Sequence, residues 1–134
     1  MKRILLAFIL LMQVMTSLYA QSAADSIRRM HKKMPVALVD TGVASYYHSK
    51  FHGRITASGE LYDQDKLSAA HNRLPLGTKI KVTNLRNKRT VIVKVNDRLH
   101  HRNKRLVDLS RAAATKLGFI GRGITRVKVE VLKD

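Results

Sequence analysis

Apolar and polar positions alternate in three stretches of the second half of the chain. β-branched residues recur at every second position in residues 79–82, 91–95 and 127–132. A period of two is typical of β-strands that bury one face. In the middle stretch Ile92 breaks the alternation, and we interpret this as a strand that is covered on both faces. The pattern therefore predicts a mainly β structure.

Turn and helix signals lie between these stretches. A turn is predicted at Pro75–Gly77 before the first strand, and a hairpin loop at Asn84–Lys88 after it. A short helix is predicted after Asp108 or Ser110, either of which can cap it, and Gly118 can end it in the left-handed conformation. Short strands with little helix favour a small closed barrel over a helical or βαβ fold.

The first twenty residues have the layout of an export signal. Lys2 and Arg3 precede an apolar run, Ile4–Met15, and a small-residue end follows, so we expect cleavage after Ala20. The run is shorter than the ~20 residues that a spanning helix needs, which favours a cleaved signal over a stable membrane anchor. We therefore predict a signal peptide over residues 1–20 and a soluble periplasmic protein.

The remaining chain divides into two parts. Residues 21–40 carry a basic cluster without a sustained period, which predicts a flexible lead-in. Residues 41–134 are long enough for one domain. There is no cysteine, so neither a disulfide nor a lipid-modified cysteine is expected, and the core alone must hold the domain together.

The charge is strongly positive. Removal of residues 1–20 would leave 24 basic and 9 acidic residues, a net charge of +15. Such a field attracts polyanions, which include nucleic acid, anionic lipid headgroups and acidic polymers of the cell wall. Export argues against nucleic acid as the natural partner.

Carboxylates are scarce, with six between Thr41 and Leu132. Two of them stand where a ligand could reach them: Asp97 follows a predicted strand, and Glu60 ends a run of small residues. Glycoside cleavage commonly uses one carboxylic acid together with a second group that handles water or stabilises positive charge. Glu60 and Asp97 are the candidate pair, although residue type alone favours structural hydrogen bonding for each.

Other side chains suit a site that binds sugars. Tyr46, Tyr47 and Phe51 could stack on sugar rings or pack in the core. His71 could orient a carboxylate or bind hydroxyl groups, although a lone histidine is more often structural. Without cysteine and with few acids, a zinc site is not expected, and neither is another cofactor.

Several motifs, in this order, resemble those of the rare lipoprotein A (RlpA) family. They are Gly42–Tyr47, Phe51–Glu60, Leu67–His71, Leu74–Thr78, Val82–Leu85, Val95–Arg98 and Val107–Ser110. The resemblance covers about residues 42–131. It implies a six-stranded double-psi β-barrel with one or two short helices.

The resemblance also implies an activity. The family includes lytic transglycosylases, which cleave the MurNAc–GlcNAc bond of peptidoglycan without water, leave a 1,6-anhydro end, and favour strands stripped of stem peptides. Carried over by motif, Asp97 would be the acid/base, Glu60 the second essential carboxylate, and His71 a residue of the groove that supports them. We expect Arg98 and the three aromatic residues to bind the glycan.

One departure from the family pattern lies beside Asp97. The family usually continues the Asp-Arg pair with Gly-Pro, whereas this chain has Leu99 and His100 and then a strongly basic loop to Arg105. Three hypotheses therefore stay open. The protein is an endolytic transglycosylase, a module that binds wall glycan without cleaving it, or a scaffold for other wall enzymes.

Overall fold

The computed structural model describes residues 2–32 and 39–133, which form six strands, two α-helices and one turn of 3₁₀-helix. The elements in chain order are α1 (Lys2–Lys32), β1 (Val39–Tyr46), the 3₁₀ turn (Ser49–Phe51), β2 (Ser68–Ala70), β3 (Lys79–Asn84), β4 (Thr90–Asp97), β5 (Val107–Leu109), α2 (Arg111–Leu117) and β6 (Thr125–Val131). The three strands predicted from alternation correspond to β3, β4 and β6.

The six strands close into a barrel in the order β1-β5-β2-β4-β3-β6, with β6 paired back to β1. The β1–β5 and β2–β4 pairs are parallel, and the other four pairs are antiparallel. The predicted hairpin loop joins β3 to β4, with Lys81 opposite Ile92. The expected closed six-stranded barrel is confirmed.

Valine side chains fill the interior. Val82, Val93, Val95 and Val129 are almost fully buried, as period-two alternation predicts for the inner face. The interpretation of Ile92 is wrong, because its side chain is 52% exposed on the outer face. The outward positions of β4 therefore face solvent or surface loops.

Helix α2 packs on the barrel. Ser110 caps it, since its side chain accepts a hydrogen bond from the Ala113 N–H (3.3 Å). Leu117 is fully buried, and Gly118 ends the helix with φ of 73°, as predicted. Asp108, the alternative cap, lies in β5 instead.

Residues 98–106 form a loop that is tied down at both ends. The Leu99 N–H donates to Asn72 Oδ1 (2.8 Å), and the Leu106 N–H donates to the Val43 carbonyl (2.9 Å). Leu106 also packs so closely on Gly42 that a Cβ on this glycine would lie 2.7 Å from the Leu106 Cβ. A glycine is therefore required in β1 at this point.

Two units make up the chain, residues 1–36 and 37–134. In the first, α1 continues to Lys32, although the sequence shows no helical period after Gln21. Its stretch Leu6–Ala24 (19 residues) is long and apolar enough to cross a membrane, and N-terminal signal sequences meet the same criterion. Length alone therefore does not separate a cleaved signal from an anchor, and the boundaries at residues 20 and 40 stay predictions. Residues 33–38 of the expected lead-in lie outside the described residues.

Candidate active site

An open cleft of about 680 Å³ lies beside the ends of β1 and β4. Aromatic side chains form part of its wall, and charged groups stand among them. The lining residues used below are Tyr46, Tyr47, Phe51, Tyr62, Asp97, Arg98, Arg105 and Asp108. Five of the seven sequence-predicted site residues are in this set, and Glu60 and His71 are not among the described lining residues.

The strand register explains why Asp97 faces this cleft. Ser45, Asp108, Ala70 and Asp97 are paired in a row across β1, β5, β2 and β4, and paired residues point to the same face of a sheet. A β-bulge in β4 opposite Ala69 and Ala70 sets this register, so that Asp97 rather than Asn96 opposes Ala70. The bulge therefore aims the Asp97 carboxylate outward over the small Ala70 side chain.

Four hydrogen bonds fix Asp97. Its carboxylate accepts from the Tyr47 hydroxyl (2.6 Å), the Ala57 N–H (2.9 Å) and the Arg98 N–H (2.8 Å). Its carbonyl accepts from the His71 N–H (3.1 Å). A carboxylate held by three donors keeps one orientation, as a group that exchanges protons with a bound substrate requires.

Tyr47 connects the aromatic wall to Asp97. Its ring packs on Tyr62, with centroids 4.6 Å apart, and edge-on to Phe51 at 6.0 Å. Burial and then the hydrogen bond to Asp97 raise the pKa of the Tyr47 phenol. Tyr47 therefore keeps its proton and acts as a permanent donor to Asp97.

Asp108 is a second carboxylate in the cleft. The sequence suggested it only as a possible helix cap and did not indicate its place in the site. The Asp108 carboxylate accepts hydrogen bonds from the Ser45 hydroxyl (2.8 Å) and from Arg105 through Nε (2.7 Å) and Nη2 (3.0 Å). The same carboxylate raises the pKa of Arg105. Its position between buried Val107 and Leu109 was the available signal, since alternation places it on the outer face.

Glu60 lies near the cleft without lining it. Its carboxylate pairs with Lys94 Nζ (2.9 Å), and this contact lowers the pKa of Glu60. Lys94 and Asp97 both lie on the outer face of β4, because the bulge shifts the alternation between them. Glu60 is therefore on the same side of the barrel as Asp97, with its side chain 49% exposed.

His71 is buried beneath this region, with 1% of its surface exposed. Its Nδ1 accepts from the Arg73 N–H (3.1 Å) and the Leu74 N–H (3.2 Å), so the neutral ring carries its proton on Nε2. Burial, and then the charge of Arg73, lower the pKa of His71. The His71 contact with Asp97 is through the main chain.

The other predicted binding residues line the cleft, and their side chains differ in the contacts that hold them. The Tyr46 hydroxyl donates to the Ile120 carbonyl (2.9 Å), and its ring packs edge-on to Phe119. Arg98 uses Nη1 to donate to the His71 carbonyl (2.6 Å). The Lys50 ammonium and the Arg54 guanidinium each lie over the Phe51 ring, 5.3 Å from its centroid.

The described residues contain no cluster of three or more histidine and carboxylate side chains that could hold a metal ion.

The sequence of the chain matches a known protein family. The model of the lytic transglycolase family matches residues 39–129. The chain belongs to this family. The match covers β1 to β5 and β6 as far as Val129, and the barrel is accordingly a double-psi β-barrel.

Curated members of the lytic transglycolase family are close in sequence. The protein named endolytic peptidoglycan transglycosylase RlpA from Pasteurella multocida is 47% identical over 108 residues, covering 81% of this chain and 37% of that protein. The protein of the same name from Haemophilus influenzae is 52% identical over 94 residues, which cover 70% of this chain and 33% of that protein. The chain thus spans about a third of the length of these relatives.

Solved structures support the same fold. A Streptomyces papain inhibitor superposes with a TM-score of 0.61 at 24% identity, covering 75% of this chain and 100% of that one. A mutant expansin of Clavibacter michiganensis, in complex with cellohexaose, superposes with a TM-score of 0.58 at 23% identity, covering 72% and 52%. At this level of identity the likeness concerns the fold alone.

Proposed function

We propose that this chain is an endolytic lytic transglycosylase that cleaves MurNAc–GlcNAc bonds of peptidoglycan and leaves 1,6-anhydro ends. The observation that carries the proposal is the Asp97 carboxylate, held by three donors at an open cleft with an aromatic wall. The activity named for the curated relatives supports the same reaction.

Asp97 would act as the acid in the first step and as the base in the second. In the first step the protonated carboxyl group gives its proton to the glycosidic oxygen, and the bond from that oxygen to the MurNAc C1 breaks. In the second step the Asp97 carboxylate takes the proton of the same sugar's C6 hydroxyl while O6 bonds to C1. The C6 hydroxyl proton thus restores the protonated Asp97, the first proton stays on the hydroxyl group of the released sugar, and no water is consumed.

The neighbours of Asp97 would act by holding it. The Tyr47 hydroxyl and the N–H groups of Ala57 and Arg98 keep the carboxylate aimed at one position. Phe51 would stack on a sugar ring, and Arg98 would donate to glycan hydroxyl groups from the cleft wall. Asp108, already paired with Arg105, would stabilise positive charge developing on the sugar ring.

Glu60 and His71 would contribute through the position of Asp97. The Glu60–Lys94 ion pair ties the segment of residues 56–60 to β4, and this segment supplies the Ala57 N–H that holds Asp97. The His71 N–H holds the Asp97 carbonyl. Both would therefore be positioning residues for Asp97 rather than carriers of the proton.

Digestion of purified sacculi tests the reaction. We expect the wild-type chain to release anhydro-muropeptides that mass spectrometry detects, and Asp97→Asn to release none above background. Asp63→Asn is the matched control, because Asp63 lies in a turn outside the cleft lining and should leave the yield unchanged. No anhydro product from wild type, or an undiminished yield from Asp97→Asn, would reject the proposal.

A module that binds glycan without cleaving it is the second candidate. The expansin neighbour, of which 52% is matched, is described in complex with cellohexaose, so a protein that contains a barrel of this fold binds a glycan. This candidate predicts that wild type yields no anhydro product, while a Glu60→Gln/Asp97→Asn double variant still sediments with sacculi.

Location follows from the same proposal. An enzyme that cleaves peptidoglycan must reach the cell wall. We therefore propose export to the periplasm with cleavage after Ala20. The apolar stretch of α1 is compatible with a signal peptide. N-terminal sequencing of the exported protein should begin at Gln21, and a protein that retains Met1 in the membrane fraction would contradict it.

A further inference from the structure

The two most exposed large apolar side chains among the described residues of the barrel lie next to each other. Ile55 is 75% exposed and Leu61 is 62% exposed. They oppose each other in an isolated antiparallel bridge, so their side chains point to the same face. Single exposed apolar residues are ordinary on a protein surface, whereas neighbouring ones beside a cleft indicate a contact surface for a ligand. We call these two residues the apolar pair.

Backbone hydrogen bonds hold the apolar pair in place. The Thr56 N–H donates to the Glu60 carbonyl (2.8 Å), and the Tyr62 N–H donates to the Arg54 carbonyl (2.7 Å). These two bonds flank the bridge, which is therefore of the non-hydrogen-bonded type, in which opposite side chains come closest. The backbone under the apolar pair is thus ordered before any ligand arrives, and this reduces the entropy cost of binding.

The apolar pair lies beside the candidate catalytic group. Ile55 is one of the residues that line the Asp97 cleft. Two positions further along the chain, the Ala57 N–H donates to the Asp97 carboxylate (2.9 Å). Two residues of chain span at most about 7 Å. A strand that brings its glycosidic oxygen to Asp97 would therefore place neighbouring sugars beside Ile55.

An aliphatic side chain suits one part of such a strand. Aromatic rings can stack on the faces of sugar rings, and charged or amide groups can bind hydroxyl groups. An aliphatic side chain does neither, and it gains free energy only by removing apolar surface of the ligand from water. In a strand of GlcNAc and MurNAc, every sugar carries an N-acetyl group whose methyl projects from the ring. This methyl group is the apolar surface that the apolar pair can cover.

We propose that Ile55, with Leu61 extending its apolar surface, covers the methyl group of an N-acetyl substituent and so selects glycans built from N-acetylated sugars. The inference rests on the proposed function, because it assumes that a glycan strand lies in the cleft. Ile55 is then a specificity residue that contacts the substrate and takes no part in proton transfer.

Two neutral hexasaccharides test the methyl contact without a contribution from ligand charge. Chitohexaose carries an N-acetyl group on every sugar, whereas cellohexaose carries a hydroxyl group at the same position. The exported protein with Asp97→Asn, which prevents turnover, is titrated with each sugar, and the two dissociation constants are measured by NMR. We expect about fivefold tighter binding of chitohexaose, because covering one methyl group contributes about that ratio.

Two substitutions of nearly the same shape locate this preference on Ile55. Ile55→Val keeps an apolar β-branched side chain and should keep most of the preference for chitohexaose. Ile55→Thr places a hydroxyl group at the contact and should reduce the preference to less than about twofold, with the affinity for cellohexaose unchanged. Each variant is first checked for a wild-type unfolding transition.

Ile92→Thr is the matched control. Ile92 is also an exposed isoleucine, with 52% of its surface accessible, and it is not among the described residues that line the cleft. This variant should keep the full preference for chitohexaose. An equal loss of preference in Ile92→Thr and Ile55→Thr would show that the effect is not located at the cleft.

Two further outcomes would overturn the inference. One is the absence of a preference for chitohexaose in the protein that retains Ile55, which includes failure of both sugars to bind. The other is an equal preference in Ile55→Val and Ile55→Thr. Failure of the proposed function is distinguishable, because it appears as missing anhydro product from wild type, whereas the two dissociation constants are measured without cleavage.

Discussion

At the scale of single residues, Asp97 depends on groups that are distant in the sequence. Its carboxylate accepts from Tyr47 and Ala57, which lie fifty and forty residues before it, and from its neighbour Arg98. Each donor fixes one direction of the carboxylate, so the loss of one should lower the rate more than it lowers binding.

Tyr47→Phe tests this directly. The change removes the hydroxyl that donates to Asp97 at 2.6 Å and leaves the ring in place. Because a hydrogen bond to a charged group contributes about 1.5–3 kcal/mol, we expect kcat to fall about tenfold to a hundredfold with KM little changed. The measurement is the initial rate of anhydro-muropeptide release.

Tyr46→Phe is the matched control, because the Tyr46 hydroxyl donates to the Ile120 carbonyl instead. Its kcat should stay within a factor of about two of wild type, since no contact to Asp97 is lost. Equal losses in the two variants would show that the Tyr47 hydroxyl has no special role.

The lowered pKa of the buried His71 side chain should make the stability of the fold depend on pH. Burial, and then Arg73, lower the pKa of His71 below its ordinary value of 6.5, so the unfolded chain binds the proton at a higher pH than the folded chain. The neutral His71 ring makes its full contribution to the free energy of unfolding above pH 6.5. This contribution is lost as the pH falls from there through the pKa of His71 in the folded chain. Urea unfolding at several pH values from about 7.5 down to 5.5 should show a falling free energy of unfolding.

The His71→Gln variant should show a shallower decrease over the same pH range, whatever its stability at neutral pH. His101→Gln, at an exposed loop position, should keep the wild-type slope. Glu60 does not enter this window, because its ordinary pKa is 4.5 and the contact with Lys94 lowers it further. An unchanged slope in His71→Gln would refute this assignment.

At the scale of elements, the site depends on how β1 and the 98–106 loop pack together. Gly42 in β1 lets Leu106 approach, and the Leu106 N–H then bonds to the Val43 carbonyl. This contact places Arg105 at the edge of the cleft, where Asp108 holds it. One glycine therefore sets the position of the loop that borders the cleft.

Gly42→Ala should destabilise the barrel. The new Cβ would lie 2.7 Å from the Leu106 Cβ, so the loop has to shift, and overpacking of this kind costs about 1–3 kcal/mol in the free energy of unfolding. Urea denaturation measures the loss. Gly121→Ala is the control, because a Cβ there meets nothing within 4 Å and should change the stability little. Equal stability of the two variants would contradict the packing argument.

At the scale of the whole molecule, all the described core residues come from the second unit. The buried apolar side chains run from Ala44 to Val129, and the pairing of β1 with β6 joins the two ends of this segment. With no cysteine in the chain, burial and this closure hold the barrel together.

A chain of residues 37–134 should therefore fold by itself, because it forms one compact unit with a complete core. We expect a single cooperative transition in thermal unfolding followed by circular dichroism, and anhydro-muropeptide release equal to that of the exported protein. A broad transition would show that residues 1–36 contribute to the fold.

The sequence alone determined the local elements and much of the chemistry. Alternation located β3, β4 and β6, and Ser110 and Gly118 marked the ends of α2, because these signals depend only on neighbouring residues. The motif around Asp97 also identified the candidate acid, since it marks the end of a strand without any knowledge of the partners of that strand.

Only the tertiary structure decided which residues meet. The bulge opposite Ala69 and Ala70 puts Asp97 rather than Asn96 in the row that contains Asp108. Folding also brings Glu60 to Lys94, which lies 34 residues away in the sequence. Strand register and barrel closure join segments tens of residues apart, and local periodicity does not encode them. For the same physical reason, the sequence revealed the positive charge of the chain but not that Arg105 meets Asp108 at the edge of the cleft.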